Sequence, residues 1–274
     1  MLAPTVKLLH GAEIPALGLG TYPLRGDDGV VSIRSAIESG YRLIDTAEAY
    51  ENEAEVGLAL KQAGVPREQL FITSKFNKAF HSVAGVQQAW SNSCERMGLD
   101  YIDLLLIHWP NPAHNQYVEA WQGLTTLLQQ GKVRAIGTSN FKPAHLERII
   151  GETGVIPDVN QIELNPYHQR QEAVAFHNKH GILTEAWSPL KPRDIVEHPV
   201  LVQIATAHGV TPAQVILRWD VQNGIVPIPK SGDPERQRTN LDVFGFNLYD
   251  DELRAIAALD QGEAGTADSD KQGH

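Results

Sequence analysis

Residues 40–53 read "GYRLIDTAEAYENE". Tyr41 to Ile44 form a short apolar run, bounded before by Gly40 and after by polar residues, and such a run reads as a buried β-strand. The run ends on a carboxylate, Asp45, and a phenol, Tyr50, follows five residues later. A strand that carries an acid to its tip and a tyrosine just beyond it points to a fold whose chemistry gathers at strand ends.

Working outward, the same unit recurs along the chain. Apolar, β-rich runs fall at 16–22, 41–46, 70–75, 101–108, 133–139, 159–164, 182–188 and 225–230, with segments of helical period between them. Ahead of the first, "VKLLHGAEIPALGLGT" predicts a short hairpin turning at His10-Gly11. The helices carry punctuation. Asn52 and Glu55 suggest a capping box, with Val56, Ala59, Leu60 and Ala63 on one face and Gly64 as the stop. Thr211-Pro212 reads as an N-cap and first helical residue. Val83, Val86, Trp90 and Met97 share a stripe of the segment after the third strand.

Eight strand–helix units in roughly 250 residues predict an α/β fold, a (β/α)8 TIM barrel with an N-terminal β-hairpin. No linker divides the chain, so residues 1–274 read as one domain, with a polar tail over about 261–274 that is expected to be a mobile surface segment. The rival is a doubly wound open sheet, but "GLGTYP" supplies only the first two glycines of a dinucleotide fingerprint.

Composition narrows the function. The 274 residues are 42% hydrophobic and carry a formal net charge of −10, which argues against a general nucleic-acid binder. Cys94 is the only cysteine, so no internal disulfide forms. The N-terminal residues lack the pattern of a secretory signal, and runs such as "LLLIHWP" are too short to span a bilayer. A cytoplasmic protein without membrane or nucleic-acid partners is expected. No long exposed apolar stripe demands another subunit, so a monomer is expected too.

In a barrel of this kind, active sites lie at the C-terminal strand ends. Asp45 ends the second strand, Lys75 the third and His108 the fourth, and Tyr50 lies on the loop after Asp45. Singly, each has an ordinary structural explanation: a turn cap, a solvated lysine, a core histidine, a tyrosine at the core edge. Jointly they suggest chemistry. A buried lysine needs a carboxylate partner. A cation beside a phenol lowers its pKa from about 10 and improves proton donation to a forming alkoxide. His108 can orient a carbonyl oxygen. The set holds no hydride donor, so a cofactor has to supply one.

With "GYRLIDTAEAYENEAEVG", "SKFN", "LLIHWP", "GTSNF" and "IPKS" in that order, the chain resembles the aldo-keto reductase family along nearly its whole length. It is most similar to bacterial 2,5-diketo-gluconate reductase-like members. The resemblance implies that Asp45, Tyr50, Lys75 and His108 form a catalytic tetrad, with Tyr50 as general acid in carbonyl reduction.

Cofactor contacts can be argued beside it. Ser139 and Asn140 end the fifth strand and Gln161 lies within the sixth, offering amide and hydroxyl groups to a nicotinamide carboxamide. Trp187 ends the seventh strand and presents a flat face for stacking, where family members often have tyrosine. Ser188 and Leu190 are expected along the pyrophosphate, and Gly20, Thr21 and Tyr22 at the end of the first barrel strand. In "IPKSGDPERQRTN", Lys230, Ser231 and Arg236 suit a 2′-phosphate and Asn240 faces adenine, so NADPH/NADP+ is preferred to NADH. Thr239 stands where many relatives carry glutamate; Gly232, Thr138 and the "SKF" around Lys75 are further departures.

Tyr22, Phe76, Asn77 and Trp109 are the expected substrate pocket, with Trp187 beside them. Short segments after the fourth and seventh strands predict an open site for small aldehydes, dicarbonyls or keto-sugars. Three other readings are open. His177 and His180 could pair on a metal, but no nearby cysteine or carboxylate completes a site and a surface helix is the plainer reading. Glu48 with Asp45 raises a glycosidase, which would leave Lys75 unexplained. A regulatory module of the same fold would bind cofactor with little turnover.

Overall fold

The computed structural model describes residues 2–274. Strands β1 (Thr5–Lys7) and β2 (Glu13–Pro15) pair antiparallel as the expected hairpin. Gly11 makes the turn at φ 94, in the left-handed region that favours glycine.

Eight parallel strands follow: β3 (Gly18–Gly20), β4 (Leu43–Asp45), β5 (Phe71–Phe76), β6 (Ile102–Ile107), β7 (Val133–Ser139), β8 (Val159–Glu163), β9 (Leu183–Trp187) and β10 (Val226–Pro227). Each pairs with its neighbour in sequence, the order that right-handed strand–helix–strand units produce. The cylinder closes where the Gly20 N–H donates to the Pro229 carbonyl at 3.2 Å. A Cβ on Gly20 would lie 2.8 Å from the Ile228 carbonyl oxygen, so the seam requires glycine.

The helices are α1 (Gly26–Ser39), α2 (Glu53–Ala63), α3 (Val83–Met97), α4 (Tyr117–Gln129), α5 (Pro143–Thr153), α6 (Gln171–His180), α7 (Pro199–His208), α8 (Pro212–Gln222), α9 (Pro234–Leu241) and α10 (Asp250–Ala257). Thr211 caps α8 through a reciprocal bond with Gln214, as its sequence predicts. No single helix among the described residues is long and apolar enough to cross a membrane.

The strand period of two sorts the side chains. Leu43, Phe71, Leu104, Leu106, Ala135, Val159 and Val226 meet inside the barrel, and Leu8, Ala12 and Ile14 of the hairpin pack onto them. The hairpin thus plugs one end of the barrel interior. The alternate residues face the helices, and Phe76 is among them. It is buried with Val86, Tyr117 and Trp121, not in the pocket wall expected for it, because Lys75 beside it points inward.

Three further expectations need correction. Asn52 precedes α2 but its side chain caps nothing there, and Glu55 instead accepts the Gly26 N–H at 3.0 Å. Val83 is exposed at the first position of α3, where the helix has not yet reached the core. The polar tail is held down across the strand ends. The Gln261 N–H donates to the Tyr167 carbonyl, Glu263 pairs with Arg170, and Lys142 meets both Asp268 and Asp270. Its polar, Gly-containing composition made this segment read as mobile, but the cations it meets stand at the N-cap of α5 and just before α6.

Candidate active site

Asp45 and Lys75 come from adjacent strands in the inward phase, and both are fully buried. Lys75 Nζ donates to Asp45 Oδ1 at 2.6 Å, to the Thr46 carbonyl at 2.9 Å and to the Tyr50 hydroxyl at 3.3 Å. Tyr50 ends a 3-10 turn, Glu48–Tyr50, and its ring lies 5.8 Å from that of His108, edge to face. The structure therefore brings all four residues to one mouth of the barrel.

The electrostatics follow from burial and contact. Burial depresses the Lys75 ammonium, but Asp45 and Tyr50 outweigh it and hold the group above the ordinary lysine value. Burial raises the Asp45 carboxyl against the pull of Lys75 and Gln161. His108 is driven well below the ordinary histidine value by burial and then by Lys75, so its ring is neutral. The Tyr50 phenol is raised, because burial exceeds the downward pull of Lys75. The expectation that Lys75 alone brings it toward neutrality is corrected: Tyr50 rests as a protonated phenol.

Asn52, read as a cap, organises the loops around this mouth. Its amide accepts the Thr46 hydroxyl at 2.7 Å and donates to the Thr21 and Leu24 carbonyls at 3.1 and 2.9 Å. Gly20 and Thr21 are buried beneath, and Tyr22 is exposed with its ring 5.2 Å from that of Tyr50.

Ser139, Gln161 and Glu185 are register partners across β7, β8 and β9. The Ser139 hydroxyl donates to the Gln161 carbonyl, and Asn140 donates to Ser139 Oγ and to the His108 carbonyl. Trp187 donates its indole N–H to Asn140 Oδ1 at 2.9 Å, which fixes the ring at the rim. Asn140 and Ser188 both hold positive φ at their strand tips. Gln161 gives its amide nitrogen to Asp45 Oδ2 at 2.8 Å and to Glu185 Oε2 at 2.6 Å. Its carbonyl end is then the one left for a ligand amide. A carboxamide fits this donor and acceptor set. Leu190 packs half-buried beside the same loop.

Beyond β10, Lys230 and Arg236 are exposed, Ser231 and Asn240 are buried, and Gly232 is exposed. Gln237 donates to the Ser231 carbonyl at 2.8 Å and to Ser32 of α1, so the basic loop is anchored. Asp233 caps α9 by accepting the Arg236 N–H at 2.8 Å. The Thr239 hydroxyl turns back to the Glu235 carbonyl.

Other expected residues are placed differently. The Asn77 amide is taken up by Glu48 at 2.9 Å and by the Ala79 N–H. Glu48 thus faces Asn77 while Asp45 faces Lys75 and Gln161, so no carboxylate pair of a glycosidase is formed. Trp109 is half-buried, and the His274 ring lies between 4 and 7 Å from the His108 and Trp109 rings, at 4.5 and 6.4 Å. His177 is not on a surface: it is buried, taking the Asn160 amide at 2.8 Å on Nε2 and meeting Thr184 at 2.8 Å on Nδ1. Thr138 joins the same network through Asn160. His180 bonds the Phe176 carbonyl instead, and no metal-binding cluster occurs among the described residues.

Glu185 and the tail were missed in the sequence. Glu185 stands two residues from Trp187 and shares its inward phase, which is the signal that marks it.

The barrel, its closed seam and the grouping of buried Asp45, Lys75 and His108 with half-buried Tyr50 define a carbonyl-reducing class of (β/α)8 enzyme. The Aldo/keto reductase family model matches residues 16–192 and 196–261, and the chain belongs to that family. It is 48% identical over 268 residues to 2,5-diketo-D-gluconic acid reductase B of Corynebacterium sp., covering 97% of each chain. It is 46% identical over 276 residues to methylglyoxal reductase DkgA of Escherichia coli, covering 100% of both. Among solved structures, an aspartate-to-alanine mutant of Gox0644 in complex with NADPH superposes with a TM-score of 0.95 at 38% identity, covering 100% of both chains.

Proposed function

We propose that this protein reduces small aldehydes, dicarbonyls or keto-sugars to alcohols with NADPH, using Tyr50 as the general acid. The observation that carries this reading is the Lys75 ammonium set between Asp45 at 2.6 Å and the Tyr50 hydroxyl at 3.3 Å. NADPH, when bound, supplies the hydride. Tyr50 holds the proton that the forming alkoxide takes, and Lys75 stabilises the phenolate left behind. Neutral His108 orients the carbonyl oxygen toward that hydroxyl. Ser139, Asn140 and Gln161 hold the carboxamide and Trp187 backs the ring. Lys230 and Arg236 meet the 2′-phosphate, with Ser231 and Asn240 buried beside them.

Relatives named for diketogluconate and methylglyoxal reduction support the small-carbonyl substrate class, and the NADPH complex supports the cofactor. The proposal includes a monomer in the cytoplasm. Cys94 is buried and unpaired, which suits a reducing compartment, and the exposed large apolar residues are scattered over separate elements.

The test is NADPH oxidation, followed by absorbance, with methylglyoxal as substrate. Turnover is expected in the native protein, and Tyr50→Phe is expected to lower kcat by about 10²–10⁴-fold with folding intact. Undiminished turnover in that variant would remove Tyr50 from its role.

A further inference from the structure

The barrel interior holds a titratable group that the proposed mechanism leaves unused. Glu185 on β9 is fully buried. Its Oε2 accepts from Gln161 Nε2 at 2.6 Å, and the same nitrogen donates to Asp45 Oδ2. Its Oε1 has no hydrogen-bond partner among the described residues. Apolar Val226 on β10 is its register partner, and Val159 of the apolar barrel floor stands level with Leu183, two residues before it.

The charged and titratable groups that face this acid are few. They are Asp45 from β4, Lys75 from β5 and Tyr50 above them. Gln161 and Thr73 are neutral. The cluster therefore contains two carboxyl groups and one cation, and of the two carboxyls Lys75 bonds only that of Asp45. Two anions joined through one amide, both buried and with one counter-charge, cannot both persist. Asp45 has the ammonium, so the proton stays on Glu185. Burial, and then the nearby Asp45 charge, push the Glu185 carboxyl up to about 8.

We propose that Glu185 is a positioning residue of the reductase site: a carboxylic acid that must keep its proton for Lys75 to act on Tyr50, and whose ionisation shuts reduction down. The proposal rests on the reading of Tyr50 as the general acid. An ionised Glu185 would add a second negative charge beside Asp45. That charge offsets the field of Lys75 at the phenol and makes Tyr50 a weaker acid, the direction in which Glu185 acts on it. Glu185 gives no proton to substrate; it sets the charge under the pair that does.

Two measurements test this. The first is kcat for methylglyoxal reduction at saturating NADPH across neutral to alkaline pH, in the native protein, Glu185→Gln and Tyr50→Phe. The native kcat is expected to fall at alkaline pH by about tenfold per pH unit, and Glu185→Gln to move that fall upward by about one unit or more with neutral-pH kcat within about threefold. Should Glu185→Gln fail to fold, Glu185→Met gives the same comparison with a neutral side chain. The second needs no cofactor: the infrared carbonyl band of a protonated carboxylic acid, taken as native minus Glu185→Gln. Asp220, another buried acid raised by its burial, contributes equally to both proteins and cancels. The difference band is expected at neutral pH and is lost as pH rises. Its absence at neutral pH, or an unmoved alkaline fall, overturns the proposal. Full activity in Tyr50→Phe instead overturns the general-acid reading beneath it, whatever the band shows.

Discussion

Lys75 Nζ lies 2.6 Å from Asp45 Oδ1, with both side chains closed off from solvent. Removing one member of such a pair leaves the other charge buried without compensation, at a cost of about 3–5 kcal/mol. Asp45→Leu is therefore expected to lower stability by that order in urea unfolding and to abolish turnover. Lys75→Met in the same background should recover much of the stability and none of the activity. A double variant no more stable than Asp45→Leu would refute the buried-charge account.

The pH dependence of stability offers a second check on Glu185. Its carboxyl is raised from 4.5 to about 8 on folding, so unfolding releases a proton in between. The stability this contributes is complete below about 4.5 and is lost as pH rises to about 8, at about 1.4 kcal/mol per unit. Between pH 6 and 8 the native protein is expected to lose about 2–3 kcal/mol more than Glu185→Gln. Parallel stability curves for the two proteins would mean that Glu185 is ionised in the fold.

In the proposed reading, the cofactor preference rests on the exposed cations Lys230 and Arg236. Charge-assisted hydrogen bonds contribute about 1.5–3 kcal/mol, so Lys230→Ala and Arg236→Ala should each raise KM for NADPH by about 10- to 100-fold and leave KM for NADH nearly unchanged. Asp233 works against them, because its carboxylate sits at the start of α9 beside the same loop. Asp233→Asn keeps a capping oxygen and removes the charge. It should lower KM for NADPH, measured in the same assay; equal changes for both cofactors would place the 2′-phosphate elsewhere.

The tail reaches the barrel mouth, with His274 Nε2 3.1 Å from His108 Nδ1 and the His274 carbonyl accepting the Lys78 N–H at 3.2 Å. Its ion pairs to Lys142 and Arg170 are partly exposed, and such pairs are worth about 0–1 kcal/mol each and weaken in salt. A variant lacking residues 263–274 should gain several-fold in kcat/KM for bulky aromatic aldehydes relative to methylglyoxal, with the tetrad intact. High salt should shift the native protein the same way. An unchanged ratio would show that the tail does not bound the substrate space.

The barrel was legible because strand and helix periods alternate so regularly: every strand from β3 to β10 overlaps an apolar run read from the sequence, and β5 alone passes the end of its run, by Phe76. The tetrad was legible because each member ends or follows a strand. What stayed hidden needed three-dimensional pairing. Phe76 has the composition of a pocket wall, and only the phase set by Lys75 turns it outward. Glu185 reads as an ordinary polar residue between Thr184 and Ala186 until β8 brings Gln161 beside it. The tail shows no periodicity; Lys142 and Arg170, which bind it, are about 100 residues or more away in sequence.

Asn52 combines the local and long-range parts of this site. It precedes α2, where asparagine ordinarily caps, yet its amide turns inward and ties the loop after β3 to the loop after β4. It accepts one hydroxyl and donates to Thr21 and Leu24, and the side chain is fully buried. Asn52→Leu fills the space but takes the partner from the Leu24 carbonyl and the Thr46 hydroxyl and leaves the Thr21 carbonyl only the Leu24 N–H; a polar group stranded from water costs about 1–3 kcal/mol. Thr46 also supplies the carbonyl that Lys75 holds at 2.9 Å, so loosening this loop reaches the tetrad. The expected result is a loss of several kcal/mol in urea unfolding together with a fall in kcat larger than any rise in KM. Asn52→Asp should be nearly as damaging, because a carboxylate accepts from Thr46 but repels the two carbonyls. If Asn52→Ala instead cost no more than an ordinary helix cap, about 0.5–2 kcal/mol, with kcat unchanged, Asn52 would be a cap after all and the two loops would be held by other contacts.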